Sequence, residues 1–189
     1  MTKRCAWAKA PLDVKYHDTE WGVPLYEDNK LFEFLILEGV QAGLSWSIVL
    51  QRRDAYREAY EGFIPETVAQ FDEKKITSLL GNKKLIRNKL KIHASVKNAQ
   101  AFLRLQKEFA TFSHYLWCFV DNKSITNNWQ TPEQVPNETP LSQRLSKDLK
   151  KRGFTFVGPT ICYALMQASG LINDHLTTCF RHQEIINLR

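Results

Sequence analysis

Residues 72–105 read DEKKITSLLGNKKLIRNKLKIHASVKNAQAFLRL, and this stretch decides the fold class. Asp72 has a short acceptor side chain suited to capping a helix, here predicted through Leu80, and Gly81-Asn82 then interrupts the chain. From Lys89 to Leu105 apolar residues return at Leu90, Ile92, Ala94, Val96, Ala99 and Phe102, which predicts a second helix. Working outward, the same signals repeat. Asp28 is placed to cap a helix through Leu37, Ser45 to cap one carrying Trp46, Ile48, Val49 and Leu50 as far as Gly62, and Pro65 to open a short one. Phe112 to Phe119 reads as a short aromatic helix, and 121–140 as a polar loop with three prolines. Ser142 to Arg152 reads as a helix stopped by Gly153, and Gly158 to Ser169 as the most apolar late helix, ended by Gly170. No internal repeat and no long alternating run is present, so the expected fold class is all-α.

With 189 residues the chain suits one compact unit, or two lobes sharing a core. A hydrophobic fraction of 43% with a net charge of only +6 excludes a disordered chain, and 8 Gly and 7 Pro exclude collagen-like sequence. The longest apolar stretch, Leu31-Phe32 and Phe34 to Leu37, is broken by Glu33 and closed by Glu38, far short of the roughly 18 residues of a membrane span. Met1 to Ala10 has basic residues with no apolar run behind them, unlike a secretory signal. A cytoplasmic protein without a membrane partner is expected. Its cysteines at 5, 118, 162 and 179 are too scattered for a disulfide scaffold, leaving thiols or metal ligands.

The charge is uneven. Residues 1–80 sum to −3, 81–110 to +7, 111–140 to −2 and 141–189 to +4. Two basic blocks in an otherwise mildly acidic chain point to a polyanionic partner, although Lys-rich helices also serve simply as soluble faces.

His175 and Cys179, four apart, point the same way on a helical turn and make half of a zinc site; Cys5 and His17 would complete a Cys2His2 set if the chain ends meet. On spacing alone the set is weak. Cys118 and Cys162, beside Trp117, Phe119, Ile161 and Tyr163, read as buried inert thiols. Tyr16-His17-Asp18, Glu20-Trp21-Gly22 and Glu38 to Trp46 gather aromatic rings and a carboxylate around turns. Glu38 is read at a helix-to-loop junction, where an acidic group opposes the helix dipole and so wants a reason other than helix stability. One such reason is recognition of a planar base, with rings stacking on it and the carboxylate accepting from an exocyclic amine. An ordinary exposed Glu beside core tryptophans is the plain alternative.

Taken together these motifs resemble the bacterial 3-methyladenine DNA glycosylase I family. The resemblance runs from Cys5 to Cys179 through Tyr16-His17-Asp18, Glu20 to Pro24, Leu37-Glu38, Gln41 to Trp46, Lys150 to Phe154, Phe156-Val157-Gly158, Cys162-Tyr163 and Gly170 to His175. It implies a helix-hairpin-helix glycosylase fold for 1–189, with the hairpin element near 72–105 and the ends 1–30 and 153–189 stapled by one structural zinc. The implied ligands are Cys5, His17, His175 and Cys179. Glu38 is implied as the catalytic, base-reading carboxylate, with Tyr16 and Trp46 stacking in its pocket and Trp21 closing or supporting it. Gly43 and Leu44 are implied at the DNA, Leu44 as a wedge for the gap left by an extruded nucleotide or else as a core contact. The hairpin, with Lys83, Lys84, Arg87 and Lys89, is implied to hold the DNA backbone, although it has one glycine where the family's hairpin usually has Gly-x-Gly. Asp13 stands where the family leads one to expect tyrosine, so one wall of the pocket differs. The implied reaction is hydrolysis of the N-glycosidic bond of 3-methyladenine in double-stranded DNA, monofunctional and by a monomer.

Overall fold

In the computed structural model, which describes residues 3–188, ten α-helices surround one core and the only sheet among those residues has two strands. No helix of the described residues is long and apolar enough to cross a membrane. The axis of the fold is α2 (Asp28–Gln41), every residue of which from Leu31 to Val40 is buried. A helix apolar on nearly all sides belongs in a core, and this one is enclosed by α3 (Trp46–Ala59), α6 (Lys89–Phe109), α7 (Phe112–Trp117) and α9 (Pro159–Ala168). Its Glu33 is buried too, bridging Arg53 Nε at 2.6 Å and Arg57 Nε at 2.9 Å, while Arg53 also reaches Glu20 at 2.8 Å. That network satisfies the buried charges of Glu33 and Arg53.

Two sequence readings are corrected here. Helix α2 continues four residues past Leu37, so Glu38 lies within its last turns and not at a loop junction. Asp28 does not cap α2; its carboxylate accepts from the backbone N–H groups of Phe112 and Ser113, both at 2.8 Å, and so caps α7 across the core. Asp72 does cap its own helix, α5 (Glu73–Gly81), by accepting from Lys75 N at 2.8 Å.

Between α5 and α6 the turn is built by Asn82, whose Oδ1 accepts from Lys84 N at 3.0 Å, and is plugged by the buried Leu85. Gly81 ends α5 in ordinary helical geometry, and its φ is not positive. From α3, Arg52 donates to the carbonyls of Lys83 and Lys84, and the Tyr56 hydroxyl accepts from Ile86 N at 3.1 Å. Asn88 caps α6 by accepting from Lys91 N.

Chain ends meet on the opposite flank, near α1 (Pro11–Thr19) and α10 (Phe180–Ile186). Phe180 N donates to Lys3 O, and the parallel pair β1 (Ile125–Thr126) and β2 (Ile172–Asn173) ties the polar loop to the C-terminal segment, Ile125 opposite Ile172. Asp174 then gathers Asn127, Trp129, Tyr163 and Gln167. Gly170 makes the crossing possible, because with φ +74° a Cβ there would lie 2.5 Å from Pro24 N. Gly170→Ala is therefore expected to cost at least about 2 kcal/mol in urea denaturation, through both strain and overlap.

Candidate base pocket and metal centre

Helix α1 places Asp13, Tyr16 and His17 on consecutive turns of one face, all buried, with Tyr16 toward α2 and His17 toward the C-terminal segment. Sequence neighbours thus serve two adjoining sites.

In the first site, Cys5, His17, His175 and Cys179 are all buried and offer ligand atoms within 4.8 Å of one another. Cys179 Sγ lies 3.4 Å from His17 Nε2 and 3.6 Å from His175 Nδ1, and Cys5 Sγ lies 3.8 Å from His175 Nδ1. A tetrahedron with metal–sulfur bonds of about 2.3 Å and metal–nitrogen bonds of about 2.0 Å has sulfur–nitrogen edges of about 3.5 Å, which these three separations match, so the group could hold such an ion. The remaining ring nitrogens are fixed as well. His17 Nδ1 meets Asp18 Oδ1 at 2.8 Å, Asp18 being held in turn by Arg4, and His175 Nε2 meets the Trp21 carbonyl at 3.0 Å. Gly22, with φ +81°, leaves room for that approach; a Cβ would stand 3.1 Å from His175 Nε2. The thiol pair is polarised, with Cys179 held well below the usual thiol range by its hydrogen bond to Cys5 and by the imidazoles. The other two cysteines part company: Cys162 is buried as expected, whereas Cys118 is exposed, because the chain leaves α7 into a surface turn there.

The second site is a cavity of about 390 Å³ lined by Glu38 and Gln41 from α2, Trp46 and Ser47 from α3, Asp13 and Tyr16 from α1, Trp7, Trp21 and others. Its walls are aromatic. Trp46 and Tyr16 stand 5.3 Å apart between centroids, and Trp21 meets Trp7 edge-on at 5.2 Å. Among the described residues four buried side-chain polar atoms lack a hydrogen-bond partner, and two of them, Tyr16 Oη and Trp46 Nε1, belong to this cavity. Buried donors normally find partners, so two at one cavity mark a binding place. Burial raises the Tyr16 hydroxyl further above its usual range, which keeps it protonated and a donor. Glu38 is 4% exposed, and no hydrogen bond or ion pair reaches its carboxylate from the described residues. Desolvation alone pushes it up to about 8. Asp13 also lines the cavity, with Ser47 Oγ donating to both its oxygens at 2.8 Å.

Tyr16, Trp46, Trp21 and Glu38 are thus brought together as the sequence predicts. Trp21 proves to be a partition, lining the cavity on one side and packing on His175 at 4.6 Å on the other. Trp7 and Gln167 were missed; Trp7 is two residues from Cys5, and no local pattern marks it. Gly43 is exposed and Leu44 half-buried at the turn between α2 and α3, apart from the cavity lining. Lys83, Lys84, Arg87 and Lys89 are all exposed on the α5–α6 turn and the start of α6, separate from the cavity.

A family model described as methyladenine glycosylase matches residues 6–182. The chain belongs to the methyladenine glycosylase family. It is 47% identical over 180 residues to a protein of Haemophilus influenzae named DNA-3-methyladenine glycosylase, covering 95% of this chain and 97% of that one. A crystal structure of 3-methyladenine DNA glycosylase I superposes with a TM-score of 0.92 at 46% identity, covering 94% of this chain and 98% of the other. Another structure of 3-methyladenine DNA glycosylase I, in complex with 3-methyladenine, gives 0.91 at 35% identity and covers 94% and 96%. The glycosylase fold expected from the resemblance is thereby borne out.

A carboxyl whose folded value is raised favours the folded state while protonated. Its contribution is fully present below the unfolded value near 4.5 and is lost as pH rises through about 8. Glu38→Gln mimics the protonated group, so its thermal midpoint should lie close to the parent's at pH 5 and exceed it at pH 9, by on the order of 5 kcal/mol of stability.

Proposed function

We propose that this chain excises 3-methyladenine from alkylated double-stranded DNA, releasing the free base and leaving an abasic site. The observation that carries the reading is the buried, unpaired Glu38 carboxyl facing an aromatic-walled cavity whose Tyr16 and Trp46 donors lack partners. Donors and an acceptor beside flat rings fit a heteroaromatic base with an exocyclic amine.

A nucleoside of 3-methyladenine is cationic. Entry of that charge beside Glu38 favours the carboxylate, which lowers its raised value and releases a proton. Trp46 and Tyr16 each add a cation–π contribution of roughly 0.5–2 kcal/mol. As the C1′–N9 bond breaks, its electron pair moves onto the base and cancels the positive charge, so the leaving group needs no acid. A water oxygen bonds to C1′ and yields its proton to solvent. Glu38 accepts hydrogen bonds from the base and holds it out of the stack, and Leu44 fills the gap. Among the described residues no lysine lines the cavity, which supports a monofunctional reaction without a Schiff base or strand cleavage. Lys83, Lys84, Arg87 and Lys89, on the helix-hairpin-helix element formed by α5 and α6, hold the DNA backbone and leave recognition to the pocket. The enzyme acts as a monomer in the cytoplasm, where its substrate is.

Cys5, His17, His175 and Cys179 hold one zinc ion. Bound by four protein ligands, such an ion would have no open position, and it would supply a cross-link between the chain ends. Those ends carry Trp7, Tyr16 and Trp21 into the cavity.

Incubation of the zinc-loaded protein with methylated duplex, followed by analysis of released bases, should give free 3-methyladenine and intact strands bearing abasic sites. Release of no base would leave a zinc-stapled DNA-binding module as the better reading. Glu38→Gln and Trp46→Ala should each slow excision at least about tenfold while duplex affinity holds. Elemental analysis should find one zinc per chain, lost with a lowered thermal midpoint in His175→Ala. Lys83→Ala should weaken binding to all duplexes alike and reduce the salt slope by about 1.

A further inference from the structure

Of the eight cations at 81–110, one is turned inward. Lys91, in the first turn of α6, donates from Nζ to Val40 O at 2.7 Å and to Ala42 O at 2.6 Å. These carbonyls belong to the end of α2, where a helix has acceptors without internal donors. An ammonium there satisfies two of them and stands at the negative end of the helix dipole. The turn it grips bears Glu38 and Gln41 of the cavity just before it, and Gly43, Leu44 and Trp46 just after.

Two helical turns along the same face of α6, Asn98 clamps Thr155. Its Oδ1 accepts from Thr155 N at 2.8 Å and its Nδ2 donates to Thr155 O at 2.9 Å. The neighbouring Phe156 then abuts Gly39, where an added Cβ would lie 3.4 Å from Phe156 Cβ. The last turn of α2 is therefore held by α6 at two points, one direct and one through the 153–158 loop. The direct point lies three residues past Asn88, the cap that closes the basic turn.

We propose that Lys91 is a positioning residue for base excision, its ammonium fixing the end of α2 on α6 so that the pocket and the basic turn keep one register. This rests on the glycosylase reading above. Lys91 touches neither base nor phosphate; it acts through the backbone of Val40 and Ala42, and thus on where Glu38 and the Gly43–Leu44 turn stand.

The test is single-turnover release of 3-methyladenine from methylated duplex, at a temperature where circular dichroism shows every variant folded. Lys91→Met keeps the aliphatic stem and removes the donors; Lys91→Arg keeps donors. Misplacement of a reacting group by a fraction of an ångström to an ångström costs on the order of tenfold to a hundredfold, which is the loss expected in Lys91→Met. Affinity for undamaged duplex should stay within about threefold, because Lys83, Lys84, Arg87 and Lys89 are untouched, and Lys91→Arg should recover most of the rate. Should Lys91→Met fail to fold, Lys91→Gln, with one donor on a shorter arm, is measured in the same way and should be slowed. Wild-type rates in Lys91→Met, or in Lys91→Gln where it replaces it, overturn the proposal. So does a loss confined to duplex affinity, which would make Lys91 a phosphate ligand. Failure of the parent protein to release base is a separate outcome, which removes the glycosylase reading itself.

Discussion

The convergence of Cys5, His17, His175 and Cys179 is the constraint on which the working surface depends. These residues come from the two extremes of the chain, and nothing in local helix propensity would bring them together. Once they meet, the adjoining residues have no freedom left: Trp7 follows Cys5 by two, Tyr16 precedes His17, and the Trp21 carbonyl is spoken for by His175. Three of the aromatic lining residues are thus by-products of one cluster. The part of the lining on α2 is rigid for an independent reason, its burial on all sides.

The cavity is electrostatically unfinished. Among the described residues the other buried carboxylates are matched: Glu33 has two arginines, Asp13 the Ser47 hydroxyl, and Asp174 four side-chain donors. Glu38 has none, and the rings around it carry donors with nothing to bind. A fold able to neutralise its other buried groups has left this one exposed to whatever enters. Unpaired burial is costly, so its concentration around this cavity sets the place apart from the core.

Much of this was legible in the sequence, and the limits of legibility are physical. Periodicity located the helices because burial of one face imposes it, and the joint occurrence of several short motifs pointed to the glycosylase family where the His175–Cys179 spacing alone did not. Boundaries were less readable: α2 runs past its apolar stretch, where Lys91 donates to the carbonyls of Val40 and Ala42. Lys91 itself looked like one more surface cation in a basic block. Asp28 looked like a local cap because its actual partners lie 84 and 85 residues away. Cys118 looked buried because its neighbours are aromatic, yet the strand of chain there turns outward. The misses at α2, Lys91 and Asp28 each concern a partner distant in sequence, which no local window contains.

Three of the five tryptophans, Trp7, Trp21 and Trp46, face the cavity, and Trp46 has its indole N–H unpaired there. Indole emission responds to stacking, to nearby charge and to the polarity around the ring nitrogen. The protein therefore carries its own optical gauge of pocket occupancy. Most of its indoles stand around this cavity, and a flat cation entering between them would dim the emission without any added label.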